Sequence, residues 1–500
     1  MKNVLEYLEE SEKRFPNKCA VIDDKGKCTY KELLNCSQKI GSFLISKVEP
    51  KQPVDCFMDK SILCLESFFG IVYASGFYTL LDPDFPKERI QQILNTLKPS
   101  IILTTHAYDK CISKLGKKYK YVYADEIDCD INTELLLERR KNASDINPLY
   151  CNFTSGSTGT PKGVLVSHRS VIDFINVFTK TFEMTEDDIF GNQAPFDFDV
   201  SVKDIYSSIK VGGTLVIIPK AYFISPVKVI DMLENNKVTT MIWAVSALCM
   251  LIRLHGFSYK VPQYIKRIMF SGEVMPIKQF NKLSKIYPNI QFVNLYGPTE
   301  ITCNCTYQIL KNEYDENEKI PIGIPFDNED VFLLNDKDKL AKDGEVGEIC
   351  VSGTALALGY FNNREVTNKS FVQNPLNKNY LEVIYRTGDL ARKVDGILYF
   401  EGRKDFQIKH MGHRIELEEI EAKVNKIQEV EHACCIYDQD KNKIVMFYKG
   451  NIDKVDIIEA LKKEIPEYMI PNVFMNVDNM PLNKNGKTDR KALMAMYKGE

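Results

Sequence analysis

The sequence predicts an α/β protein with a large N-terminal domain and a small, mobile α+β C-terminal domain. The large domain is expected to hold two layered α/β subdomains and a small β subdomain. Strand-like apolar runs alternate with amphipathic helices between about residues 52 and 150, and again after residue 164, which is typical of parallel sheets. Short strands and turns prevail from about 305 to 400. A charged junction, Glu401–Asp405, then precedes a segment with its own helices and strands.

Composition narrows the function classes. A chain of 500 residues is long enough for about two to four domains. The net charge of −3 gives no support for a nucleic-acid partner. No run of about 18 apolar residues occurs and the N-terminus does not resemble a signal peptide, so we expect no membrane span and a cytoplasmic protein. The fourteen cysteines form no C-x-x-C pattern, which favours reduced thiols.

The first 150 residues show clear local signals. A short hairpin is expected around Asp23–Gly26, and Thr29 with Glu32 three positions later predicts a capping box at a helix start. The spacing of apolar residues predicts a helix over Lys87–Leu97, and Ile101–Thr104 has the pattern of a buried strand.

A glycine-rich loop, F-T-S-G-S-T-G-T-P-K-G over Phe153–Gly163, lies between the predicted strands Leu149–Phe153 and Val164–Ser167. Glycines allow backbone N–H groups to approach a ligand closely, and with hydroxyls and the Lys162 ammonium they form a cradle suited to phosphate. The loop lacks the G-x-x-x-x-G-K-[ST] pattern of a P-loop. An ordinary surface turn is the alternative interpretation.

Two further stretches carry candidate polar side chains. Asp197 and Asp199 lie among apolar residues, where a carboxylate is costly unless it is paired. At least one should therefore bind a cation, unless Asp199 only caps the following helix. The run N-L-Y-G-P-T-E, Asn294–Glu300, follows a strand, and ligands of open α/β sheets bind at the carboxyl ends of strands.

The C-terminal segment supports a domain boundary near residue 403, which divides the chain into 1–403 and 404–500. Its pattern predicts a helix over about Leu417–Ile427 and two strands after it. Asn485-Gly486 is a turn signal that places Lys487 on a loop ahead of the last helix.

Several motifs follow one another in a specific order. They are T-Y-K-E-L (29–33), the glycine-rich loop (153–163), F-D-V-S (198–201), N-L-Y-G-P-T-E (294–300), G-E-I-C-V-S-G-T-A-L-A-L-G-Y (347–360), Y-R-T-G-D-L (385–390), G-R-K-D-F-Q-I-K (402–409), R-I-E-L-E-E-I-E (414–421), P-E-Y-M-I-P (466–471) and N-G-K-T-D-R (485–490). This order resembles the adenylate-forming superfamily over nearly the whole chain. Within it, the chain resembles amino-acid adenylation domains of nonribosomal peptide synthetases and stand-alone D-alanine–D-alanyl carrier protein ligases.

The resemblance implies two half-reactions. A carboxylic acid attacks the α-phosphate of Mg-ATP to give an acyl-adenylate and pyrophosphate, and a phosphopantetheine thiol then attacks the adenylate. Residues 1–403 would be the adenylation core, and 404–500 a lid that rotates about the hinge residue Asp405. Because the chain ends at Glu500 without a carrier segment, we expect the phosphopantetheine to be carried by a separate protein.

The resemblance also assigns roles to residues. Glu300 would bind Mg²⁺, Tyr296 would stack on adenine, Asp389 would accept hydrogen bonds from ribose, and Lys487, Thr299 and Glu300 would be catalytic. The complete set expected to bind nucleotide is Thr154, Ser155, Gly156, Ser157, Thr158, Gly159, Lys162, Asn294, Tyr296, Gly297, Pro298, Thr299, Asp389, Phe400, Arg403 and Lys487.

Motif matching also indicates the substrate pocket, which would include Asp199, Val200, Lys203, Ser271, Leu295, Cys303 and Asn304. Asp199 matches the position that pairs with the α-ammonium in amino-acid-activating members. Ser271 replaces the usual cysteine of the D-alanine ligases, and Lys203 replaces an apolar residue. A buried lysine needs an anionic partner or loses its proton. Lys203 therefore either meets an acidic substrate side chain or pairs with Asp204 or Asp197 outside the pocket, while serine and alanine stay possible substrates.

Two other function classes remain as alternatives. An acyl- or aryl-CoA ligase would use free coenzyme A as the acceptor, and Asp199 argues against it. A non-catalytic scaffold relative is disfavoured because Lys162, Glu300, Asp389 and Lys487 are all present. The identity and enantiomer of the amino acid, the pathway and the oligomeric state stay open.

Overall fold

The protein is described from a computed structural model that covers residues 1–116, 118–156, 159–482 and 488–499. Within this part of the chain, five sheets and their surrounding helices form the fold. Every cysteine is a free thiol. None of the described helices combines the length and the apolar character that crossing a membrane requires.

The α-helices are named in chain order. They are α1 (Leu5–Arg14), α2 (Tyr30–Leu44), α3 (Ile62–Tyr73), α4 (Lys87–Leu97), α5 (Asp109–Ser113), α6 (Thr133–Lys141), α7 (His168–Thr181), α8 (Val200–Val211), α9 (Pro226–Asn235), α10 (Val245–Arg253), α11 (Gly256–Tyr259), α12 (Ile277–Ile286), α13 (Arg364–Ser370), α14 (Leu417–Val424), α15 (Lys454–Glu464) and α16 (Arg490–Lys498).

The strands are named in the same way. They are β1 (Cys19–Ile22), β2 (Lys27–Thr29), β3 (Pro53–Phe57), β4 (Phe77–Leu81), β5 (Ile101–Thr104), β6 (Tyr121–Tyr123), β7 (Pro148–Thr154), β8 (Lys162–Ser167), β9 (Ile189–Asn192), β10 (Thr214–Ile217), β11 (Thr240–Ala244), β12 (Arg267–Ser271), β13 (Gln291–Tyr296), β14 (Thr306–Ile309), β15 (Ile324–Pro325), β16 (Glu329–Leu334), β17 (Val346–Gly353), β18 (Gly359–Tyr360), β19 (Phe371–Gln373), β20 (Val383–Val394), β21 (Ile397–Arg403), β22 (Gln407–His410), β23 (His413–Glu416), β24 (Val430–Asp438), β25 (Lys443–Gly450) and β26 (Val473–Asn476).

Two large sheets correspond to the two α/β layers predicted from the sequence. One has seven strands in the order β18-β8-β7-β4-β3-β5-β6, and its β3, β4, β5 and β6 pair in parallel. The other has nine strands in the order β15-β14-β13-β12-β11-β9-β10-β1-β2, and it is parallel from β13 to β1. Strands buried on both faces read as continuous apolar runs, which explains why both layers were visible in the sequence.

A smaller antiparallel sheet of five strands follows. Its path is β16-β17-β20-β19, with β21 paired to β20. The register of β20 and β21 sets Asp389 opposite Arg403. This sheet is the small β subdomain that the change of pattern after residue 305 predicted.

The described chain separates into two compact units. The larger unit comprises Met1–Pro83, Lys98–Asn152 and Val164–Lys404, and the smaller unit comprises Asp84–Leu97, Phe153–Gly163 and Asp405–Glu500. The predicted α/β class, with a large N-terminal and a small C-terminal part, is confirmed. The division into functional domains at residue 403 stays a prediction.

The smaller unit has its own core. Strands β24, β25 and β26 form one sheet and β22 with β23 form a hairpin. Ile420 and Val424 of α14 share this core with Met446 and Leu461, and α4 lies against α15. The glycine-rich loop of Phe153–Gly163 belongs to the same unit.

Two local predictions can be compared with the structure in detail. The Thr29 side chain accepts from the backbone N–H of Glu32 while the Glu32 carboxylate accepts from the N–H of Thr29, so the predicted capping box is formed at the start of α2. The hairpin around Asp23–Gly26 is also formed, because β1 and β2 pair in an antiparallel manner on either side of it.

Candidate active site

The turn after β13 needs a glycine. A Cβ on Gly297 would lie 2.5 Å from the Cα of Asn304 and 2.7 Å from the carbonyl oxygen of Cys303. The chain then passes through Pro298 into the short 3₁₀ turn Thr299–Ile301. Asn294 lies before the turn, and its side-chain amide donates to the carbonyl of Pro321 at 2.8 Å. The motif therefore folds into a tight loop whose backbone packs on the segment around Asn304.

Tyr296, Asp389 and Arg403 form a buried network in the larger unit. The Tyr296 hydroxyl donates to Asp389 Oδ2 at 2.6 Å, and Arg403 Nη1 donates to Asp389 Oδ1. Burial, with the Asp389 charge second, raises the pKa of Tyr296 well above its ordinary value, so the phenol stays a donor. Phe400 packs against the same apolar cluster as Tyr296. Four residues expected to bind nucleoside are thus brought together by β13, β20 and β21.

Glu300, the expected Mg²⁺ ligand, is 1% exposed. The hydroxyl of Tyr360 donates to Glu300 Oε1 at 2.6 Å, and the carbonyl oxygen of Glu300 accepts from the N–H of Ala357. Mg²⁺ in nucleotide sites is commonly held by one or two carboxylates and phosphate oxygens, so a buried carboxylate of this kind fits that ion. Tyr360 closes the motif of residues 347–360, but its sequence position did not reveal this contact.

Asp199 lies at the N-terminal boundary of α8. Its side chain makes no capping hydrogen bond there, so the alternative that Asp199 only caps the helix is wrong. The residue is 7% exposed, and its carbonyl oxygen accepts from the Cys303 thiol at 3.1 Å. Val200, the first residue of α8, is also buried. The first turn of α8 is therefore joined to the segment that follows Glu300.

Lys203 is fully buried one turn further along α8. Its Nζ donates to Asn304 Oδ1 at 2.5 Å and to Ser271 Oγ at 3.4 Å. Within the described part of the chain, no ion pair within 4.0 Å joins Lys203 to Asp204 or Asp197, but burial lowers the pKa of Lys203 while the charges of Cys303, Asp199 and Asp204 act in the opposite direction, so both alternatives for its partner stay open. Asp204 Oδ2 instead accepts from the Asn192 amide at 2.9 Å. Lys203 thus faces two residues of the predicted substrate pocket.

The other residues predicted to line the substrate pocket include Ser271, Leu295 and Cys303. Ser271 ends β12 and Leu295 lies in β13, both buried. Thr302 and Cys303 both have left-handed backbone conformations, with φ of 50° and 78°, which are costly for side chains of this kind. The Thr302 hydroxyl donates to the carbonyl of Ala355 at 2.7 Å, which helps to hold this strained segment in place.

The glycine-rich loop, in the smaller unit, has the backbone that its glycines allow. A Cβ on Gly156 would lie 2.1 Å from the carbonyl oxygen of Thr160, and Gly159 has a φ of +76°. Two strands flank the loop as the sequence predicted, but β7 extends to Thr154 and β8 begins at Lys162, one and two residues beyond the predicted ends at Phe153 and Val164. Ser157 and Thr158 lie outside the described residues.

Two carboxylates contact this loop, Glu416 just before α14 and Glu419 in its first turn. The backbone N–H of Gly156 donates to Glu419 Oε2 at 3.2 Å, and Lys162 Nζ lies 3.9 Å from Glu416 Oε1. Arg89 of α4 binds the other oxygen of Glu419 at 2.5 Å, with both side chains almost fully buried. The Ser155 hydroxyl donates to the carbonyl of Arg414 at 2.7 Å. Of the donors predicted to bind phosphate, Gly156 and Lys162 thus meet carboxylates here and Ser155 meets a backbone carbonyl.

Sequence reasoning did not foresee these contacts. Glu416 and Glu419 belong to the motif R-I-E-L-E-E-I-E, and their spacing of three is the only signal that both could point to one side of a helix start. No sequence pattern indicated that Arg89 would contact Glu419. Asp405, the predicted hinge, is exposed and accepts from the N–H of Gln407. Lys487, the predicted catalytic lysine, lies outside the described residues.

The chain matches two enzyme family profiles and several known proteins. A family profile described as AMP-binding enzyme matches residues 8–361, and one described as AMP-binding enzyme C-terminal domain matches residues 419–487. Zwittermicin A synthase ZmaJ of Bacillus cereus is 34% identical, over 98% of this chain and 94% of its own length. Gramicidin S synthase 2 of Brevibacillus brevis is 31% identical, and the match covers 98% of this chain but 11% of that protein.

Solved structures show the same fold. The Vibrio cholerae adenylation domain AlmE, in complex with glycyl-adenosine-5′-phosphate, has a TM-score of 0.87 at 21% identity, covering 99% of this chain and 98% of that one. An artificially fused adenylation and carrier di-domain from Klebsiella oxytoca, NpsA-ThdA, has a TM-score of 0.82 at 20% identity, covering 95% and 93%. The resemblance inferred from the ordered motifs is confirmed: the chain belongs to the AMP-binding enzyme family, as an adenylation domain of the adenylate-forming superfamily.

Proposed function

We propose that this protein activates an amino acid as its aminoacyl-adenylate and then transfers it to the phosphopantetheine thiol of a carrier protein. In the first step a substrate carboxylate oxygen attacks the α-phosphorus of ATP and pyrophosphate leaves. In the second step the thiol sulfur attacks the acyl carbon, a carbon–sulfur bond forms and AMP leaves. The thiol proton is released.

The observation that carries the amino acid part of the proposal is the placement of Asp199. It is a nearly buried carboxylate residue that does not cap its own helix, and it lies against Cys303 of the predicted pocket. A carboxylate removed from water is stabilised by a positive charge close to it, and the α-ammonium of an amino acid carries that charge. Aryl and fatty acids have no such group.

The nucleoside is expected to bind in the larger unit. The Tyr296 ring would stack on adenine, and the Asp389 carboxylate, held by Arg403, would accept from the ribose hydroxyls. Glu300 would hold the Mg²⁺ that accompanies ATP, whose charge offsets that of the phosphate oxygens. Thr299 would contact the α-phosphate, and Lys487 would stabilise the charge that develops there.

The phosphates that leave are expected to bind the loop Thr154–Lys162. Its backbone N–H groups and the Lys162 ammonium are suitable donors for an anion. Residues 1–403 would act as the adenylation core and 404–500 as a lid that turns about Asp405 between the two steps, as rigid-body gating requires.

The carrier step has independent support. Two structural neighbours are proteins in which an adenylation domain is joined to a carrier domain. Coenzyme A is the competing acceptor, and it differs from a carrier protein in lacking a protein surface. A holo-carrier protein and free coenzyme A should therefore be offered to the adenylate in parallel. Thioester formed only with coenzyme A would reject the carrier proposal.

The direct test is ATP–pyrophosphate exchange on the purified chain. The expected result is exchange that depends on an amino acid and that falls by about 10²-fold or more in Asp199→Asn, because an ion pair is lost. The control is Asp187→Asn, an exposed aspartate ahead of β9. Exchange supported only by aryl or fatty acids would overturn the proposal.

A further inference from the structure

We propose that Lys60 is a positioning residue for the amino acid site, because its ammonium holds the backbone that connects β9 to α8. This inference rests on the proposed function, in which Asp199 at the start of α8 pairs with the α-ammonium of the substrate. Lys60 would act through the connecting segment 192–199, which begins at the end of β9 and carries Asp199 as its last residue.

The first observation is that backbone oxygens converge on the Lys60 ammonium. Its Nζ donates to the carbonyl oxygens of Gln193 and Ala194 at 2.8 and 3.2 Å. The carbonyl oxygen of Asn192 lies 3.4 Å away, and Asn192 Oδ1 accepts at 2.9 Å. Hydrogen bonds from an ionised donor are stronger than neutral ones. The lysine therefore fixes the direction in which the chain leaves β9.

The second observation is that the Asn192 side chain links Lys60 to α8. Its Oδ1 accepts from Lys60, and its Nδ2 donates to Asp204 Oδ2 at 2.9 Å. Asn192 and Asp204 are both fully buried. Asp204 lies on α8, the helix that begins directly after Asp199. The lysine, the amide and the carboxylate thus join the two ends of the connecting segment.

The third observation is that the turn carrying Lys60 is itself fixed. Lys60 is partly buried and lies between β3 and α3. The Ser61 hydroxyl next to it caps α3 by accepting from the N–H of Cys64 at 3.2 Å. The N–H of Ile62 donates to Asp23 Oδ2 at 3.1 Å. A side chain held by such surroundings can position a neighbouring segment.

The rest of the connecting segment is packed. Phe196 is 2% exposed, and its ring centre lies 6.0 Å from that of Phe68 in α3. The N–H of Phe198 donates to the carbonyl of Pro195 at 3.2 Å, which closes a turn immediately before Asp199. A close-packed connection has little freedom to absorb a displacement. A shift at the end of β9 should therefore move Asp199.

The charge of Lys60 gives this positioning a pH dependence. Burial lowers the pKa of Lys60 to about 7, while Asp204 on α8, Asp197 in the connecting segment and Asp59 beside the lysine act in the opposite direction. Burial also raises the pKa of Asp197 and of Asp204 to about 7. Lys60 loses charge as pH rises through this region, and a neutral amine has fewer N–H groups to donate. The hold on the segment should weaken above about pH 7.

The first test is ATP–pyrophosphate exchange with the amino acid that gives the fastest exchange in a panel of D- and L-amino acids. Lys60→Met removes the charge and keeps the length of the side chain. We expect KM for the amino acid to rise by about 10-fold or more, since hydrogen bonds from a charged donor are lost. KM for ATP should stay the same. The control is Lys31→Met at an exposed position of α2, which should change neither KM.

Lys60→Arg supplies a second readout. Arginine stays charged throughout the assay range and can still donate to the carbonyl oxygens. In the unmodified chain, KM for the amino acid should rise between about pH 6 and pH 8, and in Lys60→Arg this rise should be absent. Hydrogen–deuterium exchange of residues 193–198, measured at one pH, should be faster in Lys60→Met and unchanged in Lys60→Arg. Thermal unfolding shows whether each variant is folded.

The outcomes separate the two proposals. An unchanged KM for the amino acid in folded Lys60→Met overturns the role of Lys60 and leaves the proposed function standing. An equal rise of KM for ATP, or the same pH profile in Lys60→Arg and the unmodified chain, also overturns that role. If Lys60→Met does not fold, the two pH profiles decide. Activity with none of the amino acids overturns both proposals.

Discussion

The buried ion pair between Arg89 and Glu419 allows a quantitative prediction. The two side chains are 4% and 0% exposed, and Nη1 lies 2.5 Å from Oε1. Arg89→Met would leave the Glu419 carboxylate buried without its partner. Removing one member of such a pair typically costs about 3–5 kcal/mol. We expect Arg89→Met to weaken local stability around α14 by this amount.

The assay is hydrogen–deuterium exchange on the full chain. A loss of about 3–5 kcal/mol corresponds to roughly 10²–10⁴-fold faster exchange for amides that open locally. The affected amides should be those of α14 and α4. Trp243, the one tryptophan of the sequence, is buried in the larger unit. Its fluorescence should not change, which distinguishes local opening from global unfolding.

A double-mutant cycle tests whether the ion pair between Arg89 and Glu419 is the source of this stability. Glu419→Gln removes the charge but keeps an acceptor for the Gly156 N–H, so Arg89→Met combined with Glu419→Gln should cost less than the sum of the single changes. We expect a coupling of about 2 kcal/mol. Lys463→Met, at an exposed position of α15, is the control. Additive effects would mean that the ion pair does not form in solution.

Three further predictions concern pH and the proposed reaction. Burial lowers the pKa of His168 to about 3, while its Nδ1 accepts from the Val4 N–H. The unfolded chain therefore binds the proton more readily, so this contribution to stability is complete above about pH 6.5 and is lost as pH falls towards 3. His168→Gln should flatten that slope in urea titrations, and an unchanged slope would assign it to other groups. Asp405→Pro, which fixes φ, should leave adenylation largely intact and block thiolation, so an equal loss of both would count against a hinge there. Lys487→Ala should slow adenylate formation by about 10²-fold or more in pyrophosphate exchange, and full activity would remove Lys487 from the site.

Local features were predictable from the sequence because their causes are local. The capping box of Thr29 and Glu32 depends on a spacing of three residues, and the strands on either side of the glycine-rich loop on adjacent apolar runs. Predicting the pair of Asp389 and Arg403 also requires the register of the two neighbouring strands that carry them.

Contacts between distant segments were not predictable in this way. Lys203 meets Asn304 over a separation of 101 residues, and Glu300 meets Tyr360 over 60. Each depends on how sheets and helices pack, which no local pattern encodes. The sequence showed that Lys203 required an explanation but left two partners open. The structure directs the side chain towards β12 and the segment after Glu300, while the charges of Asp199 and Asp204 also act on it.

In the proposed function, the carboxylates that lie on the glycine-rich loop would lower nucleotide affinity. A polyphosphate and the side chains of Glu416 and Glu419 would compete for the same donors, the Gly156 N–H and the Lys162 ammonium. Apparent affinity falls in proportion to the fraction of molecules whose loop is available. Each tenfold excess of the carboxylate-bound form would therefore weaken ATP binding by about 1.4 kcal/mol. The same competition would favour the departure of pyrophosphate, so tighter substrate binding and faster product release would oppose each other at this loop.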